Sequence, residues 1–164
     1  MSNVNEETEV LEVSDAMDEF GSSGIQDSVK GFLTFVSDGL TYAVPTEQVI
    51  EIITNHSIRP LPLVPDYVRG IINLRGQIIP IIDIRLRLGK PFLEYSTTTC
   101  IIILDIGSDR LGICVDSVSQ VLSIDTSNAS PVPLENRQKF ANYMVSVDDG
   151  KVVLFMDCAA LIEP

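Results

Sequence analysis

Side chains that could support catalysis or bind a metal are few and scattered in this sequence. The single histidine, His56, lies in the polar stretch TNHS, with no second histidine or nearby cysteine to complete a metal site. His56 is also the only imidazole that could activate a nucleophile, and no serine lies in a G-x-S-x-G motif. Neither phosphate-binding pattern, G-x-x-x-x-G-K-[ST] or G-x-G-x-x-G, occurs. The sequence therefore predicts a binding protein without catalytic residues, metal or cofactor.

The remaining reactive groups have structural explanations. Cys100 and Cys114 lie in apolar strand-like runs, where a free cysteine is usually a small core residue. Asp148 and Asp149 precede Gly150 in a turn sequence, where aspartate is favoured for local backbone reasons. The cysteines are odd in number and lack metal-like spacing, and the N-terminus lacks the basic and apolar parts of a secretory signal. A reduced, cytoplasmic protein is therefore predicted.

Charge is unevenly distributed along the chain. Of the formal net charge of −12, residues 1–28 hold eight acidic and no basic residues, whereas residues 29–164 hold 15 acidic and 11 basic residues. Neither part offers the basic face that nucleic acids or anionic membranes require, and no apolar run approaches the roughly 20 residues that span a bilayer. We predict a disordered acidic arm over 1–28, with a short helix near 10–20 as the alternative, and a globular domain over 29–164.

From residue 30 onward, short runs of β-branched and aromatic residues alternate with turn signals, a pattern typical of a β-barrel or β-sandwich. Hairpin turns are predicted at 37–39, 107–109 and 148–150. Short helices are predicted at 45–49, 84–88, 134–140 and 158–162.

These segments recur in the same order, which indicates an internal repeat. The string LTYAVPTEQVIEI aligns with DRLGICVDSVSQVL, so that Tyr42 matches Leu111. Farther along, RGQIIPIIDIRLRL aligns with DGKVVLFMDCAALI, which matches Asp83 with Asp157, each aspartate placed to cap a final helical turn. The sequence therefore predicts an all-β fold with a few short helices. Two copies of one β unit, in segments near 30–98 and 99–162, would pack on a shared core and leave a groove between them.

The first copy contains one residue that hairpin geometry does not explain. Its turn is Arg75-Gly76 in NLRGQIIPIIDIR, whereas the second copy has Asp149-Gly150. Glycine suits a turn, but the arginine is not needed for one. Because Pro80 cannot donate to a ladder, its strand is expected to be an edge strand or to be bulged there.

Three strings resemble the CheW family of chemotaxis coupling proteins, whose domain also ends the CheA histidine kinases. They are FVSDGLTYAVPTEQVIEII, LPLVPDYVRGIINLRGQIIPIIDIRLRLG and LGICVDSVSQVL, and the resemblance covers about residues 30–162. It implies two SH3-like barrels of five strands each, packed about a shared core, and no enzymatic activity. Proteins of this family join the cytoplasmic tips of chemoreceptors to CheA.

The resemblance also implies the binding residues. The groove between the barrels would take the helical hairpin of the receptor, and barrel surfaces would meet the like domain of the kinase. Glu51 and Arg75 would form the charged pair at the interface, either with each other or with Arg75 on a partner carboxylate. Four further residues would line or flank the groove, in which a helix inserts its apolar anchors: Val49, Ile52, Gly70 and Ile78.

Three functions are compatible with the sequence. The first is a stand-alone, non-catalytic adaptor of cytoplasmic chemoreceptor arrays, favoured by the early start on an acidic tail and the stop soon after the last repeat. The second is a CheV-like adaptor or a CheA-derived fragment. The third is an enzyme on small barrels, for which the sequence offers no catalytic constellation.

Overall fold

The computed structural model describes residues 28–54, 56–107, 109–133 and 140–163. Apart from Ser28, the predicted acidic arm lies outside the described residues, as does most of the predicted helix at 134–140. The strands of the first half are β1 (Val29–Ser37), β2 (Leu40–Pro45), β3 (Val49–Ile53), β4 (Val68–Leu74) and β5 (Gln77–Asp83). Those of the second half are β6 (Cys100–Asp105), β7 (Arg110–Val115), β8 (Ser117–Asp125), β9 (Ser130–Pro131), β10 (Tyr143–Val147) and β11 (Lys151–Phe155).

Helical structure in the described residues is confined to single turns. One α-helical turn, α1 (Ile84–Arg87), follows β5, and 3₁₀ turns lie at Thr46–Gln48, Thr126–Asn128, Asp148–Gly150 and Cys158–Ile162. The two predicted caps are present, since the Asp83 carboxylate accepts from the Leu86 N–H at 3.3 Å and the Asp157 carboxylate from the Ala160 N–H at 3.4 Å. No described helix has the length and apolar character needed to cross a membrane.

The strands form two sheets, each with strands from both halves of the chain. The six-stranded sheet has the order β8-β1-β2-β11-β10-β9, and the five-stranded sheet has the order β3-β6-β7-β5-β4. The hairpins β1–β2 and β6–β7 have thus changed places between the halves. The mostly β fold and its two related sheets are confirmed, although neither sheet is a closed barrel. The segments near 30–98 and 99–162 describe the sequence repeat, and their status as subdomains stays a prediction.

The register of the strands follows the repeat. In the parallel pair β5–β7, Ile81 lies opposite Gly112, and in the parallel pair β11–β2, Phe155 lies opposite Ala43. These two pairs are equivalent in the repeat, because the sequence alignment matches Ile81 with Phe155 and Ala43 with Gly112. The antiparallel pairs β3–β6 and β1–β8 are likewise equivalent, and each contains a register shift at the same place in the repeat. The internal repeat is therefore a repeat of structure.

Each sheet faces two apolar cores, which explains the nearly continuous apolar runs of interior strands such as β6 and β7. In β6, Ile102 and Leu104 point into a core that both sheets share, whereas Ile101 and Ile103 point into a core that belongs to the five-stranded sheet. The six-stranded sheet has its own core around Phe32. A strand with apolar contacts on both faces cannot show the alternation of a half-exposed strand.

The expectation that Pro80 lies on an edge strand is wrong. β5 is an interior strand between β4 and β7, and Pro80 lies opposite Ile71 of β4 without a register shift at that point. The ladder between β5 and β7 begins only at Ile81. Pro80 therefore lies just before the point at which β5 gains its second neighbour, where a missing N–H is tolerated.

Replacing Ile81 with aspartate should unfold the protein. Ile81 is fully buried in the core of the five-stranded sheet, and an unpaired carboxylate there would cost several kcal/mol, a large part of the roughly 5–15 kcal/mol that stabilises a typical domain. Circular dichroism during thermal unfolding measures the loss. Ile78→Asp is the matched control, because Ile78 lies on the same strand with its side chain 59% exposed. A folded Ile81→Asp variant would contradict the prediction.

Candidate partner-binding site

Arg75 and Glu51 form an ion pair between opposite edges of the five-stranded sheet. Glu51 lies on edge strand β3, and Arg75 follows edge strand β4 at the other end of the strand order. The Arg75 Nη1 donates to Glu51 Oε1, and Nη2 donates to Oε2 at 3.3 Å. Because the pair joins the two edges, the sheet must curl until they meet. The two-pronged geometry fixes the plane of the guanidinium.

The turn that presents Arg75 imposes an unfavourable backbone conformation on it. Arg75 has φ +53° and Gly76 has φ +85°, between the paired residues Leu74 and Gln77. Two successive positive φ values identify a type I′ turn, whose first position favours asparagine, aspartate or glycine. A left-handed arginine costs roughly 1–2 kcal/mol. The turn therefore holds an arginine where its backbone preference is for another residue, an outlier of the kind often found at functional sites.

The hairpin between β1 and β2 provides the appropriate internal comparison. Its turn residues Asp38 and Gly39 have φ +53° and +78°, nearly the values of Arg75 and Gly76. The comparison with Asp149-Gly150 is less direct, because Asp148–Gly150 forms a 3₁₀ turn between β10 and β11. The same kind of hairpin turn thus carries a well-suited aspartate in one place and an arginine in the other.

The other copy of the repeat has no counterpart of Glu51. The alignment that matches Tyr42 with Leu111 places Gln120, on β8, at the position of Glu51. The Gln120 backbone is held by the Thr34 hydroxyl, which donates to the Gln120 carbonyl at 2.8 Å and accepts from its N–H at 3.1 Å. Since this copy folds with a glutamine there, the repeat itself does not require the carboxylate.

The electrostatics of the pair favour its charged form. Hydrogen bonds from Arg75, together with its positive charge, hold the pKa of the Glu51 carboxyl below its ordinary value. The same contacts raise the pKa of Arg75. The Glu51 side chain is 24% exposed and the Arg75 side chain 72% exposed, so the outer donors of the guanidinium face solvent.

A cleft of about 680 Å³ opens beside this turn, where β5 and β7 diverge before their ladder begins. The residues that line it are Gln77, Ile78, Ile79, Pro80, Asp109, Arg110, Leu111 and Ile162. The Arg110 Nη1 donates to the Gln77 side-chain oxygen at 2.6 Å, which joins the two strands at the rim. The cleft is therefore lined by both apolar and polar side chains, as partner-binding clefts commonly are.

Of the predicted groove residues, only Ile78 lines this cleft. Ile52 is exposed on β3, outside the cleft, and Val49 is half-buried against the core that the sheets share. Sequence reasoning missed the cleft positions of Leu111 and Ile162. Their contribution depends on how β7 and the last 3₁₀ turn are packed, and local pattern carries no signal for that. Pro80 also lines the cleft, but in the sequence it is notable because it lacks an N–H, and this property does not predict a role for its side chain.

Gly70 is buried and allows close packing of two backbone segments. It is buried with φ +142°, and a Cβ at this position would lie 2.1 Å from the Arg59 carbonyl oxygen. Arg59 and Ile71 exchange two backbone hydrogen bonds of 2.9 Å, which hold the backbone at Arg59 against β4. Gly70 therefore permits the close approach that forms this edge of the sheet.

The described residues contain no group of three histidine, cysteine or carboxylate side chains that could hold a metal ion. Cys114 and Cys158 are buried, and burial raises the pKa of each thiol to about 12. These two thiols are therefore poor nucleophiles at neutral pH. His56 is exposed, and its Nδ1 lies 3.0 Å from the Ser57 carbonyl oxygen.

Gly70→Ala should destabilise the protein markedly. The methyl group would collide with backbone and not with a flexible side chain, and the positive φ adds strain, so we expect a loss of about 2 kcal/mol or more. Chemical denaturation measures the difference. In Gly76→Ala nothing lies within 4 Å of the new methyl group, so only the cost of the positive φ, about 1 kcal/mol, is expected. Equal losses in the two variants would contradict the packing explanation.

The stabilisation provided by the Glu51–Arg75 pair should disappear in acid. Because the folded-state pKa of Glu51 is depressed, the contribution is present above the unfolded carboxyl value of about 4.3 and is lost as the pH falls through the folded value. The melting temperature of Glu51→Gln should therefore lie below that of the wild type near pH 7, and the difference should shrink as the pH falls below the unfolded carboxyl value. Glu94→Gln, in an exposed loop, controls for the loss of one negative charge. A difference that stays constant across this range would rule out the ion pair as its source.

Comparison with known proteins assigns the chain to a family. The profile of the CheW-like domain matches residues 31–164. The chain is 35% identical over 102 residues to the chemotaxis protein CheW of Klebsiella aerogenes, covering 62% of this chain and 61% of that protein. It is 30% identical over 132 residues to the chemotaxis protein CheW of Bacillus subtilis, covering 74% of this chain and 85% of that protein.

Structural comparison agrees with the sequence comparison. The crystal structure of the scaffolding protein TtCheW from Thermoanaerobacter tengcongensis matches with a TM-score of 0.75 and 30% identity, covering 82% of this chain and 92% of that one. In the Klebsiella comparison, by contrast, the chain spans less than two thirds of its relative's length. The profile match over most of the chain, together with the shared fold, shows that this protein belongs to the CheW-like domain family.

Proposed function

We propose that this protein is a non-catalytic chemotaxis adaptor that couples the cytoplasmic tips of chemoreceptors to the CheA histidine kinase. Membership of the CheW-like domain family and similarity to chemotaxis proteins named CheW support this function. One observation links the proposal to particular residues. Arg75, in an unfavourable turn beside the cleft, forms an ion pair with Glu51 of β3. The protein would act in the cytoplasm and reach the membrane only through its partners.

The cleft has the chemistry to accept apolar anchors from a receptor helix. Ile78 is 59% exposed and Ile162 is 45% exposed, and both line the cleft with Pro80 and Leu111. An α-helix with its side chains is about 10–12 Å across, so a cleft of this size would receive residues from one face of a helix and not a whole helix. Val49, Ile52 and Gly70 remain predicted contributors to the same binding region.

Arg75 would provide the polar part of recognition. A guanidinium has five N–H donors, and two of them are used on Glu51. The remaining donors and the exposed face of the group would bind carbonyl or carboxylate oxygens of a partner. Glu51 holds the guanidinium in one orientation before binding, which lowers the entropy lost when the complex forms. Glu51 and Arg75 would therefore work as one unit.

Contact with the kinase would use other surfaces of the sheets. Exposed apolar side chains also occur on the six-stranded sheet, where Val121 and Val152 are the repeat equivalents of Ile52 and Ile78. A like domain of CheA would present similar sheets to them. We propose no catalytic step, in keeping with the similarity to a protein described as a scaffolding protein.

Replacing Arg75 should weaken partner binding while leaving the fold intact. Arg75→Asn suits the left-handed turn and removes the guanidinium, Arg75→Lys keeps the charge but loses the two-pronged geometry, and Arg75→Ala removes the side chain. We expect the asparagine and alanine variants to bind a receptor cytoplasmic fragment at least about tenfold more weakly, with intermediate binding by the lysine variant. Titration calorimetry with that fragment, and pull-down with CheA, provide the measurements.

Lys90→Gln is the matched control, since it removes one exposed positive charge elsewhere on the surface. Absence of binding by the wild-type protein would overturn the adaptor function. Wild-type affinity in Arg75→Asn would leave the adaptor function standing and remove Arg75 from the interface. A large loss of thermal stability in all three variants would make Arg75 a structural residue.

A further inference from the structure

Arg87 is a buried arginine that connects the two sides of the cleft. It ends α1, the turn that follows β5, and only 9% of the residue is exposed. Its Nε donates to the Leu161 carbonyl at 2.9 Å, and Nη2 donates to the Glu163 carbonyl. The guanidinium lies between two aromatic rings, 4.3 Å from the centroid of Tyr67 and 4.6 Å from that of Phe140. Two carbonyls and two ring faces thus surround the charge.

Burying the Arg87 guanidinium has a desolvation cost that an apolar residue would not have. A buried guanidinium must recover its lost hydration, and within the described ranges no carboxylate lies within ion-pair distance of Arg87. The two acceptors belong to the end of the 3₁₀ turn Cys158–Ile162, where carbonyls lack partners within the turn. An apolar residue would pack as well but would leave those carbonyls free to move. The advantage of arginine over an apolar residue at this position is therefore that it holds the backbone of 161–163 in place.

The repeat provides a control for this position. The alignment that matches Asp83 with Asp157 places Leu161 at the position of Arg87, on the equivalent capped turn, and Leu161 is fully buried. The turn therefore folds in one copy with leucine where the other copy has arginine. The arginine is needed for what it contacts, and not for the turn in which it lies.

The residue between the two acceptors, Ile162, lines the cleft. The cleft is built from two parts of the molecule: Ile78, Pro80 and Leu111 come from the five-stranded sheet, whereas Ile162 comes from the turn after β11 of the six-stranded sheet. Arg87 joins these parts, since it ends the turn α1 that follows β5 and bonds both neighbours of Ile162. Movement of 161–163 would therefore move one wall of the cleft.

We propose that Arg87 is a positioning residue of the partner-binding cleft and acts on binding only through Ile162. This role rests on the proposed function, because the ligand of the cleft is the helical tip of a receptor. By fixing the carbonyls of Leu161 and Glu163, Arg87 presents the Ile162 side chain at the cleft wall before the helix arrives. Because the Ile162 side chain is already held in place in the free protein, less conformational entropy is lost when the helix binds.

A double-mutant cycle tests this role. The affinity of a receptor cytoplasmic fragment is measured for the wild type, Arg87→Lys, Ile162→Ala and the double variant. Lysine keeps the charge but cannot bond both carbonyls while stacking between two rings. We expect each single variant to bind about threefold to tenfold more weakly, and the double variant to bind no more weakly than the weaker single variant. Arg85→Lys, on the same turn but paired with Asp38 and Asp116, should bind as the wild type does.

Hydrogen exchange provides the readout that separates positioning from general destabilisation. In Arg87→Lys, the amides of 160–163 should exchange faster while those of β6 and β7 keep their protection. The role of Arg87 would be overturned if the two losses of binding free energy added in full in the double variant. It would also be overturned if Arg87→Lys bound the fragment as tightly as the wild type. Absence of binding by the wild type would overturn the proposed function, and the role of Arg87 with it. Should Arg87→Lys fail to fold, Ile162→Lys decides, because its binding at wild-type affinity would exclude Ile162 from the interface.

Discussion

The close contact between Ile81 and Gly112 is the constraint on which the rest of the structure depends. A Cβ at Gly112 would lie 2.5 Å from the Cδ1 of Ile81, so a larger residue there would force the buried Ile81 side chain to shift and would disturb the parallel ladder of β5 and β7. The equivalent ladder pairs Phe155 with Ala43, again a large residue opposite a small one. These ladders attach each exchanged hairpin to the other half of the chain. Because both halves contribute to both sheets, the shared core forms only when the whole domain folds.

The position of the candidate site is set by the start of the β5–β7 ladder and by the two edges of the five-stranded sheet. β5 and β7 are paired only from Ile81 and Gly112 onward, and the cleft lies in the divergent part before that point. Curling of the same sheet brings β3 to the end of β4, where Arg75 meets Glu51. The cleft and the ion pair are thus two consequences of one curved sheet. Their relative position is fixed by strand pairing and not by flexible loops.

Much of this fold can be predicted from sequence because much of it is local. Glycine at turns, aspartate at helix caps and the ordered recurrence of apolar segments predict the hairpins, the capped turns and the repeat. The exchange of hairpins cannot be predicted in this way, because the same apolar pattern suits β1–β2 in either sheet. The edge position expected for Pro80 is wrong for a related reason, since the sequence does not show where a parallel neighbour begins. Ile162 reaches the cleft only through packing between distant segments.

Comparison of the two copies separates residues that the fold requires from residues that serve something else. Where both copies need the same physical property they keep it, as with Asp83 and Asp157 at the caps. Arg87 and Leu161 differ, and so do Glu51 and Gln120, although their backbone positions are equivalent. Arg87 is a buried charge that bonds both neighbours of the cleft residue Ile162. Glu51 pairs with Arg75, whose left-handed turn directly precedes the cleft residue Gln77. The left-handed backbone of Arg75 and the burial of Arg87 are two costs that the proposed binding surface explains better than the needs of the fold, because the other copy folds with leucine at the position of Arg87 and a similar hairpin turn carries Asp38.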